Sequence, residues 1–424
     1  MSYVRRAAAT YILPLLFAAE FFALFSRGFP WAYEWDWAID WANGATLLLG
    51  PLLAGCVAAD VTIWRRDQVT ALTRSTPQGR WNLARVVTGN VLVGWGVHLA
   101  ALGSVLAICL FNGAPASPSL AAVGGIALAF VELAVAGVVG ALVGGVLGSL
   151  FAAPLAALVV FAGSYLASSE AVPTVFRVGG VTGSVVGLDL DLTLVFLLLI
   201  VSVAFIATAG LGFLVKDSVV SGLALRVSIL IPGLVFFGGL AALYAYGDER
   251  FEVASSATHE CKGTEPRICL ASETSLPLRW LTQEVHKGYV ALTEIGVRPP
   301  STFRQALPER PLQASEGRIH LSSGSPKRET GDIERIAEIL SVPRECPQLS
   351  GANPPPDVYF QSKQLLKLWL IQRIDASSTD SLLDPFEKQW LSADQEVQNA
   401  WIKSTYNMLQ FCKFDGLKLP VLSS

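Results

Sequence analysis

A few histidines and acidic residues between positions 259 and 320 are the side chains of this sequence best suited to chemistry. His259 and Glu260 begin like the H-E-x-x-H motif of zinc peptidases, but the second histidine is missing. Metal binding would require the fold to gather four scattered residues: His259, Glu284, His286 and His320. Ordinary surface histidines are the simpler expectation, so the sequence predicts neither a metal site nor a cofactor.

Two further catalytic signatures are missing from the sequence. It contains no G-x-S-x-G nucleophile elbow and no G-x-x-x-x-G-K-[ST] phosphate loop. A chain without a phosphate loop does not bind and hydrolyse ATP in the usual way. We therefore expect that the protein is not an enzyme by itself.

The charged residues are distributed unevenly between the two parts of the chain. Only 11 of the 31 Lys and Arg residues lie in residues 1–247, although 52% of the chain is hydrophobic. A long stretch with so few charges must satisfy its backbone polar groups inside helices in lipid. The sequence predicts a transmembrane domain at 1–247 and an aqueous domain at 248–424. The net charge of −3, with no basic stripe, argues against nucleic acid as a partner.

Seven apolar segments are long enough to cross a bilayer. They lie near residues 8–26, 43–60, 87–111, 120–147, 152–169, 192–214 and 227–246. With the N-terminus inside, nine Lys and Arg residues fall in inner segments and two in outer loops. The predicted fold is therefore a polytopic helical bundle of about seven spans in the cytoplasmic membrane, with its C-terminal domain outside.

The predicted extracytoplasmic domain is of the α+β or α/β class. Arg267–Ala271 is a candidate strand, and Ser392 with Gln395 forms a candidate capping box for a helix that runs to about Phe411. The other predicted helices cover residues 276–294, 329–341 and 357–374.

The cysteines fit an oxidising outer compartment. An even number of them lies in the outer domain, which leaves three possible pairings. We favour one short local disulfide and one that joins later helices: Cys261–Cys269 and Cys346–Cys412. Cys56 and Cys109 lie in predicted spans, where we expect them to pack as inert apolar residues.

Three ionisable residues fall near the midplane of predicted spans: Glu20, His98 and Glu132. Such groups are costly in lipid and usually face a bundle interior or a cavity. His98 and Glu132 lie on consecutive antiparallel spans, so a pair at matched depth is reasonable. One interpretation is a substrate-contacting or proton-linked patch, and the other is a hydrogen bond that only fixes helix packing.

Two residue patterns in the predicted membrane domain each have two interpretations. Gly140, Gly144 and Gly148 form a small-xxx-small ridge, which favours tight packing within the bundle or a seam between moving or dimeric parts. The loop at 28–44 carries four tryptophans among acidic residues. Its rings are typical of an aromatic belt at the lipid headgroups, or of a mouth for an amphipathic substrate.

The connection between the second and third predicted spans, residues 60–85, is basic and amphipathic. Its helical spacing suits a helix that lies along the membrane or docks on a partner, and Pro77 is expected to end that helix. The residues that we expect to contact a partner are Trp64, Arg65, Arg66, Asp67, Leu72, Thr73, Arg74, Pro77 and Arg80.

This connection resembles that of permeases of type-2 ABC exporters, the drug and polysaccharide exporter class. Those permeases follow their second span with a charged turn, a coupling helix and a T-P-x-x-R-like exit, here Thr76 to Arg80. The apolar, Gly-rich segment 171–187 resembles their re-entrant hairpin before the sixth span. The seventh span and the outer domain depart from the six-span core of that class. The resemblance implies a separate ATP-binding subunit that docks on 60–85, and a homodimer or paired permease.

Three functions therefore stand as hypotheses. The first is an exporter permease with an unknown substrate. The second is a scaffold or sensor that displays the outer domain without transport. The third is a membrane-anchored enzyme whose outer domain is catalytic.

Overall fold

The computed structural model is mostly helical and divides into two compact units. The first comprises Met1–Arg27, Glu34–Phe111 and Ala116–Ala254, and the second comprises Gly28–Tyr33, Asn112–Pro115 and Ser255–Ser424. The structure describes residues 7–26, 28–29, 31–66, 77–112, 118–149, 151–168, 174–180, 184–216, 223–247, 249–254, 258–272, 278–307, 312–313, 315–319, 330–342, 357–375 and 383–421.

The described part of the first unit consists of helices, one short 3-10 turn and a two-stranded sheet. The helices are α1 (Ala8–Tyr11), α2 (Leu13–Phe25), α3 (Trp35–Gly44), α4 (Thr46–Arg66), α5 (Pro77–Phe111), α6 (Leu120–Leu147), α7 (Ala152–Ala167), α8 (Leu192–Lys216) and α9 (Leu223–Tyr246).

Four helical stretches among the described residues are long and apolar enough to cross a membrane: Trp35–Trp64, Leu83–Phe111, Leu120–Leu147 and Leu192–Gly210. Three shorter apolar helices cover Leu13–Phe25, Ala152–Ala167 and Leu230–Tyr246. Each predicted span thus corresponds to an apolar helix, but only four of the seven reach spanning length by this measure.

Small residues bring α4 close to α6. A Cβ atom added to Gly144 would lie 2.6 Å from the backbone oxygen of Ala58, and one added to Gly140 would collide with the backbone oxygen of Ala54. α4 also packs against α5 and α7, which places it in the middle of the unit. Part of the predicted glycine ridge therefore serves close packing within one chain.

The tryptophan-rich segment differs from its prediction. Trp35–Gly44 is helical, and the rings of Trp37 and Trp41 are buried in protein instead of lying in a headgroup belt. The indole nitrogen of Trp41 donates a hydrogen bond to the backbone oxygen of Leu24 at 3.0 Å. The rings are used for packing because α3 continues almost directly into α4 and lies against α5 and α6.

The described residues 174–180 and 184–191, which precede α8, contain no α-helix, and Gly179 and Gly180 pack against α3. The backbone nitrogen of Gly180 donates to the oxygen of Asp40 at 2.9 Å, and a Cβ at Gly179 would lie 2.5 Å from that same oxygen. Strand β1 (Leu188–Leu190) then pairs antiparallel with β2 (Phe251–Val253), which follows α9. Irregular backbone next to apolar helices is tolerated where protein covers it, as it is here.

The second unit is built around a mixed four-stranded sheet with the strand order β3-β4-β5-β6. β3 and β4 are antiparallel, whereas β4, β5 and β6 are mutually parallel. The strands are β3 (His259–Lys262), β4 (Arg267–Ala271), β5 (Thr302–Gln305) and β6 (Glu316–Ile319). The candidate strand at 267–271 is confirmed as β4.

The described part of this unit has five helices, of which the first two pack on the sheet: α10 (Leu278–Glu294), α11 (Thr330–Ser341), α12 (Asp357–Ile374), α13 (Pro385–Ser392) and α14 (Gln395–Gln410). α10 connects the parallel strands β4 and β5 and packs on β4, which makes a β-α-β unit. α12 is central, and its Trp369 and Leu370 are fully buried in the core of the unit.

The predicted capping box at Ser392 is wrong. Ser392 ends α13, and its hydroxyl donates to the backbone oxygen of Gln389. Asp394 caps α14 instead, because its carboxylate accepts from the backbone nitrogen of Glu396. The capping box in this region joins Asp384 and Glu387 at the start of α13.

One complete disulfide is described, between Cys261 and Cys269, which face each other across β3 and β4. This is the predicted short local pair. Cys412 is also disulfide-bonded, and its predicted partner, Cys346, lies outside the described residues. Cys56 and Cys109 are buried free thiols.

Candidate functional site

The interior of the helical bundle contains a pair of fully buried ionisable side chains. Nδ1 of His98, on α5, lies 2.8 Å from Oε1 of Glu20, on α2. Neither residue has exposed surface. The expected partner of His98 was Glu132, so this pairing is corrected: the helix face that carries His98 meets α2.

The second polar atom of each partner in this pair lacks a hydrogen bond among the described residues. These atoms are Oε2 of Glu20 and Nε2 of His98. The ring of Phe130 packs edge-on against the imidazole, with 5.4 Å between ring centroids. Each unpaired atom carries a desolvation cost, which makes the pair an expensive feature for packing alone.

Glu132 lines a separate cavity. Its Oε2 accepts a hydrogen bond of 2.9 Å from the hydroxyl of Thr46, at the start of α4. The cavity has a volume of about 220 Å³ and lies between α4, α6 and α7. It is lined by Thr46, Gly50, Glu132, Leu133, Val135, Ala136, Val139, Val159, Val160, Gly163 and Ser164.

Near the C-terminal end of α4, the side chain of Asp60 is hydrogen-bonded to the start of α1. Oδ2 of Asp60 accepts from the side-chain amide of Asn90 at 2.7 Å and from the backbone nitrogen of Ala8 at 2.8 Å. Oδ1 of Asn90 accepts from the nitrogen of Ala9 at 2.9 Å. Sequence reasoning treated Asp60 only as the start of a loop and overlooked Asn90. Their signal was available, since both are polar residues at the edge of apolar runs.

A buried ion pair lies at the β1–β2 end of the unit. Nη2 of Arg250 donates to Oδ1 of Asp40 at 2.5 Å and to the backbone oxygen of Val178 at 2.7 Å. Both side chains are almost fully buried. The pair joins residues 210 positions apart, so local sequence patterns gave no indication of it.

The predicted partner-docking connection is described only at its edges. α4 ends at Arg66 and α5 begins at Pro77. The backbone is therefore helical at Trp64, Arg65 and Arg66, and again at Pro77 and Arg80. The remaining predicted contact residues lie outside the described part of the chain: Asp67, Leu72, Thr73 and Arg74.

The histidines and the glutamate considered as metal ligands are engaged separately. Nε2 of His259 lies 2.9 Å from the backbone oxygen of Gln305, and Nδ1 of His286 lies 3.2 Å from that of Glu265. Glu284 pairs with Lys287 at 2.7 Å, and His320 lies outside the described residues. Within the described ranges, no three His, Cys, Asp or Glu side chains are grouped as a metal site.

The second unit has an open cleft of about 570 Å³ beside the Cys261–Cys269 disulfide. One wall is the turn between β3 and β4, and the other is the first half of α10. Its lining is Lys262, Gly263, Thr264, Glu265, Pro266, Arg279, Thr282, Gln283 and His286. Sequence reasoning missed this cleft because it forms between segments that carry no motif.

The apolar helices and the polar groups among them indicate a membrane-associated helical protein that also carries a disulfide-bonded unit with a mixed sheet. No family model, no characterised protein and no solved structure matches the chain.

Proposed function

We propose that the chain is the permease subunit of an ABC-type exporter in the cytoplasmic membrane, driven by a separate ATP-binding subunit. The observation that carries this proposal is the set of ionisable side chains inside the apolar bundle: Glu20, His98 and Glu132. A bundle that only anchored an outer domain would have no need of buried ionisable side chains and of a cavity that contains a carboxylate. Such groups commonly mark a transport pathway in membrane proteins.

The connectivity supports seven crossings. Gly28–Tyr33, which follows α2, belongs to the same compact unit as Ser255–Ser424. In this proposal the two segments share one side of the membrane, so an even number of crossings separates them. The six passes are α3 with α4, α5, α6, α7, α8 and α9. With α2 as a further pass, the N-terminus lies on the opposite side, as the distribution of Lys and Arg favours.

The position of the α4–α5 connection supports an ATP-driven mechanism. It leaves α4 at the end that also holds Ala8, through Asp60 and Asn90. In the proposed orientation this end is cytoplasmic, where an ATPase subunit would dock. The connection is basic. Because α4 contacts α5, α6 and α7, a displacement of α4 would be transmitted to much of the bundle. Two copies of the chain, or two related permeases, would form the complete transporter.

The alternative of a scaffold that displays a binding domain has one specific observation in its favour. The cleft of about 570 Å³ in the second unit falls in the usual size range of ligand sites. No feature of the described residues gives comparable support to a membrane-anchored enzyme.

Co-purification tests the exporter proposal. The tagged full-length chain, expressed from its own locus and extracted in mild detergent, should bring down a protein with a phosphate loop. Arg65→Glu with Arg66→Glu should abolish that association. A matched charge reversal on the second unit, Lys413→Glu with Lys418→Glu, should leave it intact. A folded wild-type chain that captures no ATPase would refute the proposal and favour the scaffold.

A further inference from the structure

We infer that the cavity between α4, α6 and α7 binds an organic ammonium group attached to a short apolar chain. As an assignment of exporter substrate class, this inference rests on the proposed function. The site itself is defined by the Glu132 carboxylate and the apolar walls around it.

The charges inside the bundle point to a missing cation. Glu20, Asp40 and Glu132 are three of the carboxylates of the helical unit. The nearby basic side chains, His98 and Arg250, each have another partner. His98 contacts Glu20 at 2.8 Å, and Arg250 contacts Asp40 at 2.5 Å. Glu132 is the carboxylate of the three that has no basic side chain in direct contact.

The single neutral donor does not fully satisfy Glu132. The hydroxyl of Thr46 has one proton, and two acceptors compete for it: Oε2 of Glu132 at 2.9 Å and the backbone oxygen of Asn43 at 2.6 Å. The other carboxylate oxygen, Oε1, makes no hydrogen bond with any described residue. An ammonium group in the cavity would supply the donors and the positive charge that the carboxylate lacks.

The walls and the size of the cavity define the rest of the ligand. Val139, Val159 and Val160 offer apolar surface, and Ser164 adds one hydroxyl. A volume of about 220 Å³ is below the range for drug-sized ligands, so the site suits an amine with a few methylene groups. An anion would face the carboxylate at low dielectric, where repulsion is strong.

Photolabelling of the full chain in phosphatidylcholine nanodiscs tests this site without an ATPase. The probe is a diazirine-bearing hexylammonium, and the comparison probe is the neutral diazirine-bearing hexanol. We expect the ammonium probe to label α6 and α7 peptides at the cavity, with competition by hexylammonium and not by hexanol. Glu132→Gln should reduce labelling about tenfold or more, because a hydrogen bond to a charged group is lost.

A second variant blocks the cavity without changing charge. A Cβ at Gly163 meets no atom within 4 Å, so Gly163→Leu should fold and fill the space. Gly210→Leu, also unobstructed but outside the cavity lining, is the matched control. Gly163→Leu should lose the labelling and Gly210→Leu should retain it.

Two results would overturn the site. Equal labelling by the neutral probe would show that the cavity is a void filled by lipid chains, and labelling unaffected by both cavity variants would place the probe elsewhere. These outcomes are separate from ATPase capture. Capture of an ATPase without Glu132-dependent labelling would support the exporter proposal and refute this site. Glu132-dependent labelling without capture of an ATPase would support the site and refute the exporter proposal.

Discussion

Arg250 and Asp40 join three distant segments through one guanidinium group. Nη2 of Arg250 lies 2.5 Å from Oδ1 of Asp40 and 2.7 Å from the backbone oxygen of Val178. Asp40 is on α3, Val178 is in the non-helical segment before α8, and Arg250 immediately precedes β2. The backbone oxygen of Asp40 also accepts from Gly180, so the contact is reinforced by main-chain pairing.

Replacing one partner of this ion pair should destabilise the fold more than replacing both partners. Arg250→Met removes the cationic partner of the buried Asp40 carboxylate, and we expect a loss of about 3–5 kcal/mol in the free energy of unfolding. Adding Asp40→Leu should recover much of that loss. Thermal unfolding of the purified chain in nanodiscs measures both. A double variant no more stable than Arg250→Met would argue against an isolated charge as the cause.

Replacement by alanine should lower the stability at one glycine and raise it at another. Gly144→Ala places a Cβ 2.6 Å from the Ala58 backbone oxygen, so α4 and α6 must separate. We expect a cost of about 1–3 kcal/mol in stability. Gly103→Ala, on α5, meets no atom within 4 Å and should stabilise by about 0.5–1 kcal/mol through helix propensity. Thermal unfolding in nanodiscs should separate the two; equal shifts would contradict the close packing.

The Glu20–His98 pair should tolerate an amide better than an apolar side chain. Glu20→Gln retains an acceptor for the imidazole, whereas Glu20→Leu leaves Nδ1 of His98 buried without a partner. The second change should cost about 1–3 kcal/mol more than the first. The melting temperatures of the two variants provide the comparison. Similar values would mean that the hydrogen bond contributes little.

Asp189 should confer a pH-dependent cost on folding. Burial, and then the negative charge of Asp36, raise the pKa of its carboxyl above 3.8. The folded chain holds this proton more tightly than the unfolded chain, so the group favours folding in acid. That contribution is lost as the pH rises through the raised pKa. Asp189→Asn should therefore raise the melting temperature at neutral pH, with a gain that shrinks towards pH 4.

Cysteine labelling should establish the sidedness of the chain. An impermeant maleimide on intact cells should modify Lys388→Cys, on the exposed surface of α13, and spare Arg74→Cys. The native free thiols, Cys56 and Cys109, are buried and give little background. After permeabilisation both variants should react. Labelling of Arg74→Cys in intact cells would reverse the proposed orientation.

The sequence predicts long apolar or periodic helices, but it does not predict which faces of those helices meet. The apolar run at 120–147 corresponds to α6, and the periodic segment ending at Glu294 corresponds to α10. Matched depth predicts Glu20, His98 and Glu132 near the midplane of their spans, and two of the three, Glu20 and His98, are in contact. Depth alone does not tell which helix faces meet, and therefore His98 was assigned to Glu132 and not to Glu20.

Two other differences have separate causes. The acidic, aromatic segment around Asp40 has the composition of an exposed loop, yet it is a buried helix in which Arg250, 210 positions away, pairs with the carboxylate. Ser392 with Gln395 has the spacing of a capping box, but Asp394 caps α14 and Ser392 ends α13. The first contact is beyond the reach of local patterns, whereas in the second case another local cap competes.

The pairing of β1 with β2 holds the start of α8 beside the end of α9. Leu188 pairs with Val253 and Leu190 with Phe251, so the chain enters α8 and leaves α9 at the same level. An insertion of one helical turn in α8 alone would shift β1 out of register with β2, whereas equal insertions in both helices would preserve the pairing. Related chains should therefore vary in the lengths of these two helices together.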